Sequence, residues 1–240
     1  MPAAAAGNAG GRVQHPHLCG QGRHPEPGRA GRLARGGALS GRRCLLVLAH
    51  PQDASLCAHL AAEAEAAALS AGWQVRRCDL YERDFDPRLR RGERESYYSG
   101  FRGEASRELE ELAWAEVVIL VFPTWWFGFP AILKGWFDRV WAPGLAYDHA
   151  PGFGPMIPRL IGLKAVLAIT TMGAPGWFDW LVMRRPLRRV LRLGIVAPCA
   201  PKARLVWRAL YRAESVAPAR LTRFKADMRR QIAALAARLG

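Results

Sequence analysis

Glu116 to Phe122 reads EVVILVF and runs straight into PTWWFGFP, Pro123 to Pro130. A short, unbroken apolar run rich in β-branched residues is the pattern of a strand buried on both faces, and Pro123 stops it. Beyond the loop, Ile132, Leu133, Trp136, Phe137 and Val140 recur at helical spacing between Pro130 and Trp141, with Pro130 in a first turn where its missing N–H is not needed. Ahead of the strand the sequence predicts a helix from about Ser106 to Trp114.

The same order repeats outward. CLLVLA, Cys44 to Ala49, is a second buried strand ending at His50-Pro51, and Ser55 to Leu69 is a helix with Ser55 as N-cap and Gly72 just past its end. Trp73 to Leu80 reads as a peripheral strand, and Tyr81 to Gly103, charged and aromatic without a period, as a long surface excursion. AVLAIT, Ala165 to Thr170, is a further strand closing on Thr171-Met172-Gly173. A basic amphipathic helix around Phe178 to Leu193, a short strand at Gly194 to Ala197 and a last helix from about Ala219 to Leu239 complete the series.

Strand-then-helix repetition predicts an α/β fold: a doubly wound, five-stranded parallel sheet with helices on both faces. Right-handed crossovers favour the order 2-1-3-4-5. Ligands in such sheets bind beyond the carboxyl ends of the strands, at the switch point between strands one and three. Three loops therefore carry the expected chemistry: His50 to Ser55, Pro123 to Phe129 and Thr171 to Trp177.

Half of the 240 residues are apolar, enough for a continuous core. The exception is Met1 to Gly41, which is Ala, Gly, Pro, His and Arg with almost no branched aliphatics. Residues 1–42 are read as an Arg/Gly/Pro-rich tail outside the fold, disordered or translated from a misplaced start, and residues 43–240 as one folded domain. No stretch of the tail has the apolar run of a secretory signal.

The net charge is +15, but seven arginines and one acid lie up to Arg43, leaving 28 basic and 19 acidic residues, +9, for the rest. Without zinc-finger spacing or an RNA-binding aromatic signature, this basicity is read as solvated helix faces, not a nucleic-acid site. The five cysteines, Cys19, Cys44, Cys57, Cys78 and Cys199, are odd in number and scattered, with no metal-ligand spacing, which predicts a reduced, cytoplasmic chain without a metal site. No apolar run reaches the roughly 18 residues of a membrane span.

Each loop has its own chemistry. HPQDAS leads from a strand into a helix N-terminus, where free N–H groups favour an anion such as a phosphate, with Ser55 and His50 as further donors. PTWWFGFP sets three aromatic residues at a strand end, where a structural loop is ordinarily polar; they are read as a stiff slot for a planar ring in preference to packing under a neighbouring helix or forming a subunit contact. TTMGAPGW has hydroxyls beside Gly173, which allows close backbone approach to a ligand. Neither GxGxxG nor GxxxxGK[ST] is present.

Together these loops resemble those of the flavodoxin-like NAD(P)H:quinone oxidoreductases. FPTWWFGFPAILKGWFDRVWAPGLAYD, Phe122 to Asp148, is similar to that family's most distinctive segment almost residue for residue; AHPQDAS resembles its phosphate loop and TTMG its flavin-edge loop. The resemblance covers about Arg43 to Val206. It implies a bound flavin, FMN or FAD, with NAD(P)H as co-substrate and a quinone-like acceptor. His50, Ser55, Leu56 and Cys57 would lie on the flavin's phosphate side, Pro123, Thr124, Trp125, Trp126 and Phe127 would line the isoalloxazine, and Thr170, Thr171 and Gly173 would touch the opposite edge.

The resemblance also implies a homodimer with the site at the subunit boundary. Two departures stand out. Leu56 and Cys57 replace a frequent Phe-Asn pair, removing one polar contact, and Ala174-Pro175-Gly176-Trp177 replaces a region where animal members have a Tyr and a His. No catalytic side chain is assigned; the flavin carries the chemistry, in a ping-pong exchange. A rival reading is a flavin-bearing regulatory subunit of a transporter or other protein. Membrane contact is at most peripheral, through MRRPLRRVLR (Met183 to Arg192) resting on anionic lipid, with Pro186 interrupting a regular helix.

Overall fold

The computed structural model describes residues 42–150, 152 and 154–239. The tail expected before Arg42 lies outside the described residues. Arg42 itself, assigned to that tail, donates to Glu116 Oε1 at 3.1 Å and to the Leu239 carbonyl, so it belongs to the folded part.

The chain opens with β1 (Arg43–Leu48), α1 (Leu56–Ser70) and β2 (Gln74–Asp79). Ser55 caps α1 by accepting from the Ala58 N–H at 3.1 Å. At the other end Gly72, at φ +78°, makes the left-handed turn that lets its own N–H reach Leu69 O and that of Trp73 reach Ala68 O. The buried face of α1 is Cys57, Leu60, Ala61, Ala64 and Ala68, a stripe of mostly small residues that brings the helix close to the sheet.

Next come α2 (Arg91–Glu95), α3 (Ser106–Trp114), β3 (Val117–Pro123) and α4 (Ala131–Val140). All seven residues of β3 are buried; each large aliphatic one contributes roughly 1.5–3 kcal/mol. The excursion after β2 is not merely a surface feature. Glu93 of α2 is fully buried and accepts from the Arg139 guanidinium of α4 at 2.9 Å, while Arg139 also donates to the Asp86 carbonyl at 2.6 Å. Aperiodic sequence concealed this clamp, because it is made by two charged side chains that satisfy each other.

Two-residue strands β4 (Tyr147–Asp148) and β5 (Ile157–Pro158) pair antiparallel, apart from the main sheet. β6 (Ala165–Met172) follows, then a π-helical turn at Phe178–Val182, α5 (Pro186–Arg189), a second π-helical stretch at Val190–Val196, α6 (Ala197–Cys199), β7 (Arg204–Tyr211) and α7 (Pro218–Leu239). The main sheet is parallel and five-stranded, in the order β2-β1-β3-β6-β7. Alternate strand residues feed two cores: Leu45 and Val47 join Leu112 and Leu133 of α3 and α4, while Cys44 and Leu46 join Leu60 of α1 and Ile232 of α7.

Compared with the expected 2-1-3-4-5 sheet, the chain inserts the small β4–β5 pair and takes its last strand from elsewhere. Gly194–Ala197 is helical; the strand is Arg204–Tyr211, paired with β6 over eight residues. It is an edge strand in which Val206 and Leu210 face one core while Leu205 and Trp207 pack on the other, and its arginines disguise it. β6 also runs two residues further than expected, so Thr171 and Met172 belong to the strand and the third loop begins at Gly173.

Candidate active site

The carboxyl ends of β1, β3 and β6 converge on one cleft of about 230 Å³, lined by His50, Leu56, Cys57, Pro123, Thr124, Trp125, Thr171, Met172, Gly173, Ala213 and Glu214. Its position follows from the sheet order, since neighbouring loops on opposite sides of the switch point leave a crevice between them.

His50 enters at the end of β1, where Pro51 turns the chain away. Its Nδ1 accepts from the Gln52 N–H at 3.1 Å, so the neutral ring carries its proton on Nε2, and the ring stands 6.3 Å from that of Trp125. At the start of α1 the Ala58 N–H is taken by Ser55, while the N–H groups of Leu56 and Cys57 have no partner within the helix. No acidic residue occupies the first turn. The positive end of the helix is thus open to an anion.

The aromatic loop is a tight reversal. Trp125 and Gly128 exchange backbone hydrogen bonds at 3.3 and 2.8 Å, and both central residues, Trp126 and Phe127, are left-handed at φ +50° and +55°. Turns of this kind ordinarily use Asn-Gly or Gly-Gly; two bulky residues here store strain of a sort that clusters at functional sites. Phe127 packs on Phe178 at 5.7 Å, and Phe129 wedges between Phe122 and Phe137. Trp126 contacts nothing and is 100% exposed.

β6 supplies the opposite wall. Thr170, fully buried, holds its Oγ1 2.7 Å from that of Thr124 and fixes the start of the aromatic loop, which is further tied by Thr124 N–H to Thr171 O at 2.7 Å.

A comparison across families of known proteins matches residues 42–193 to the family described as flavodoxin-like fold. The chain belongs to that family.

Among curated relatives, this flavodoxin-like chain is 38% identical over 112 residues to the uncharacterized NAD(P)H oxidoreductase YcaK of Escherichia coli, covering 45% of this chain and 57% of that protein. It is 35% identical over 158 residues to the NAD(P)H dehydrogenase [quinone] 1 of Rattus norvegicus, covering 58% and 56%. The chain therefore spans little more than half the length of the curated relatives it matches. Among solved structures, an FMN-dependent NADH-azoreductase from Bacillus anthracis in complex with FMN superposes with a TM-score of 0.63 over 82% of this chain and 99% of that one; at 16% identity the likeness is one of fold.

Within the flavodoxin-like cleft, His50, Leu56, Cys57, Pro123, Thr124, Trp125, Thr171 and Gly173 line the space as a group. Ser55, Trp126, Phe127 and Thr170 do not: Ser55 is occupied as N-cap, Thr170 stands behind Thr124, and Trp126 and Phe127 lie outside the cleft wall. The structure gives the Cys57 thiol a partner. Its Sγ lies 3.3 Å from Thr171 Oγ1. Burial pushes the Cys57 thiol up to about 11, against the smaller opposing effect of the Thr171 hydrogen bond, so it is neutral.

Met172, Ala213 and Glu214 were not singled out from sequence. Glu214 follows β7, and placing the last strand at Gly194–Ala197 hid the fact that the loop after Tyr211 returns to the cleft. An acid following an amphipathic Arg-Leu-Val-Trp run was the available signal.

Proposed function

We propose that this chain is a flavin-dependent NAD(P)H oxidoreductase that reduces quinones or related acceptors. One observation carries the reading: a slot walled by Pro123, Trp125 and Met172 adjoins the free first-turn N–H groups of Leu56 and Cys57 at the start of α1. A planar ring with polar edges and an anionic tail fits that combination. When bound, the flavin supplies two-electron chemistry, taking a hydride from NAD(P)H and passing it to the acceptor.

The residues divide the work. Ser55, His50 through its Nε2 proton, and the first-turn N–H groups of α1 hold the phosphate side. Leu56, Pro123, Thr124 and Trp125 hold the ring, with Phe127 and Trp126 at its rim. Thr171 and Gly173 face its opposite edge, and Thr170 acts on the site through Thr124. Hydrogen-bond donors fixed in place before the reaction stabilise developing negative charge without reorganisation; here they are backbone N–H groups, because Thr171 shares its hydroxyl with Cys57. Relatives named as quinone dehydrogenases support the acceptor class, the azoreductase of the same fold supports FMN, and a second copy covering Trp126 would account for its exposure.

The test is spectroscopic. The purified chain is mixed with FMN or FAD, reduced anaerobically with NADH or NADPH, and then given a benzoquinone. Bleaching of the flavin band followed by its return supports the reading; folded protein that binds neither flavin refutes it.

A further inference from the structure

We propose that the face formed by residues 180–193 docks this protein onto an anionic lipid surface. Between Ala174 and Arg212 the chain has nine basic residues and one acid, Asp179. That acid is buried, accepts from the Tyr211 hydroxyl at 2.9 Å and forms no ion pair with the arginines of this face. Arg184, Arg185, Arg188, Arg189 and Arg192 converge with Trp180 around a shallow recess of about 300 Å³. None of the five side chains has an ion-pair or hydrogen-bond partner among the described residues, and Arg185 Nε is buried with no acceptor. Elsewhere arginines are matched with acids, as in Arg42–Glu116, Arg77–Glu65, Arg83–Glu111 and Arg139–Glu93.

The backbone shows how the recess forms. Arg184 and Arg185 are both left-handed, at φ +55° and +52°, and reverse the chain between the turn ending at Val182 and the helix starting at Pro186. Pro186 therefore occupies a first helical turn, where it is tolerated, and does not break the basic helix.

Large apolar side chains surround the charges: Trp180, Leu181, Val182, Val190 and Leu193 are all at least half exposed. Guanidinium groups interleaved with tryptophan and aliphatic side chains match a headgroup layer above acyl chains, where the charges meet phosphates and the apolar groups leave water. A nucleic-acid backbone would satisfy the arginines but leave the aliphatic side chains in water. A second copy related by a two-fold axis would set like charges against each other. No helix among the described residues is long and apolar enough to cross a membrane, so the contact is peripheral. The inference does not depend on the flavin reading.

The test is flotation of the full chain, without added cofactor, on vesicles of phosphatidylcholine alone or containing phosphatidylserine. The expected result is capture by the anionic vesicles only, weakened by salt. The triple substitution Arg184→Glu, Arg189→Glu, Arg192→Glu should lower vesicle affinity at least about tenfold, given the contribution of each basic residue near such a surface. The double substitution Trp180→Ser, Leu181→Ser should retain salt-sensitive capture but show less fluorescence quenching by brominated acyl chains. The Arg-rich segment before Arg43 is present in every variant, so capture unchanged by the triple substitution overturns the proposal, as does no capture at all. Loss of self-association or of DNA binding in the triple variant, with vesicle capture unaltered, assigns the face to a second copy or to nucleic acid instead.

Discussion

Cys57 and Thr171 meet at the base of the cleft, Sγ to Oγ1 at 3.3 Å, and tie the first turn of α1 to the end of β6. Burial holds the thiols of Cys57 and Cys199 up to about 11 and that of Cys78 up to about 12, with Cys44 raised further still. Thiolate is the reactive form, so native protein treated with iodoacetamide near neutral pH should be unmodified at all four positions. Peptide mass spectrometry of the segments bearing Cys44, Cys57, Cys78 and Cys199 checks this, and an adduct at any of them would contradict it. Because these groups titrate near about pH 8.5 in an unfolded chain, the native state favours their protonated forms. Their stabilising contribution is complete below that pH and is lost as pH rises through the folded values. Urea midpoints should therefore fall between about pH 8.5 and 11, less steeply in Cys57→Ala; a flat profile would contradict the assignment.

Trp126 is left-handed and makes no contact, so Trp126→Gly removes strain without removing burial. Stability should rise by up to about 1 kcal/mol, after allowing for the greater chain entropy of glycine in the unfolded state. Flavin affinity should weaken several-fold to about tenfold, the scale of one aromatic contact. Thermal melting and quenching of flavin fluorescence read the two effects separately. A variant less stable than the parent would mean the indole is buried by something in solution.

Glu93 and Arg139 behave as a unit. Burial alone would raise the Glu93 carboxyl, but the Arg139 guanidinium and the N–H groups of Arg90 and Glu104 outweigh it and hold it below the usual carboxylate range. Arg139→Ala leaves a buried carboxylate unpaired and should cost about 3–5 kcal/mol. A lowered carboxyl contributes stability above its unfolded value, near about 4.3, and loses it as pH falls. Glu93→Gln should therefore show a smaller drop in urea midpoint than the parent between neutral pH and pH about 3. Equal acid sensitivity in both would remove this pair from the acid response.

Much of the fold was legible because the informative signals are local. EVVILVF is apolar enough to be buried on both faces of a sheet, Ser55 and Gly72 bracket the Ala-rich α1, and the proline-bounded aromatic loop lies at a strand end by its place in the sequence. Eight of the twelve residues expected at the site line one cleft for the same reason: they sit at the carboxyl ends of buried strands or in the segments that directly follow them.

The rest depended on pairing between distant residues. GIVA is apolar enough for a strand, yet RLVWRALY takes the edge of the sheet, because an edge strand need bury only alternate side chains and its arginines can remain in water. That exchange brings Glu214 to the cleft. Periodicity likewise could not show that Glu93 is fully buried, since its burial depends on an arginine 46 residues away. The sequence by itself determined the succession of strands and helices and the loops that meet at the switch point, through hydrophobic runs, caps and prolines acting over a few residues. Tertiary structure alone decided which run completed the sheet, which charges became internal and which arginines were left without an acid, because these are questions of partnership between segments that are far apart in the chain.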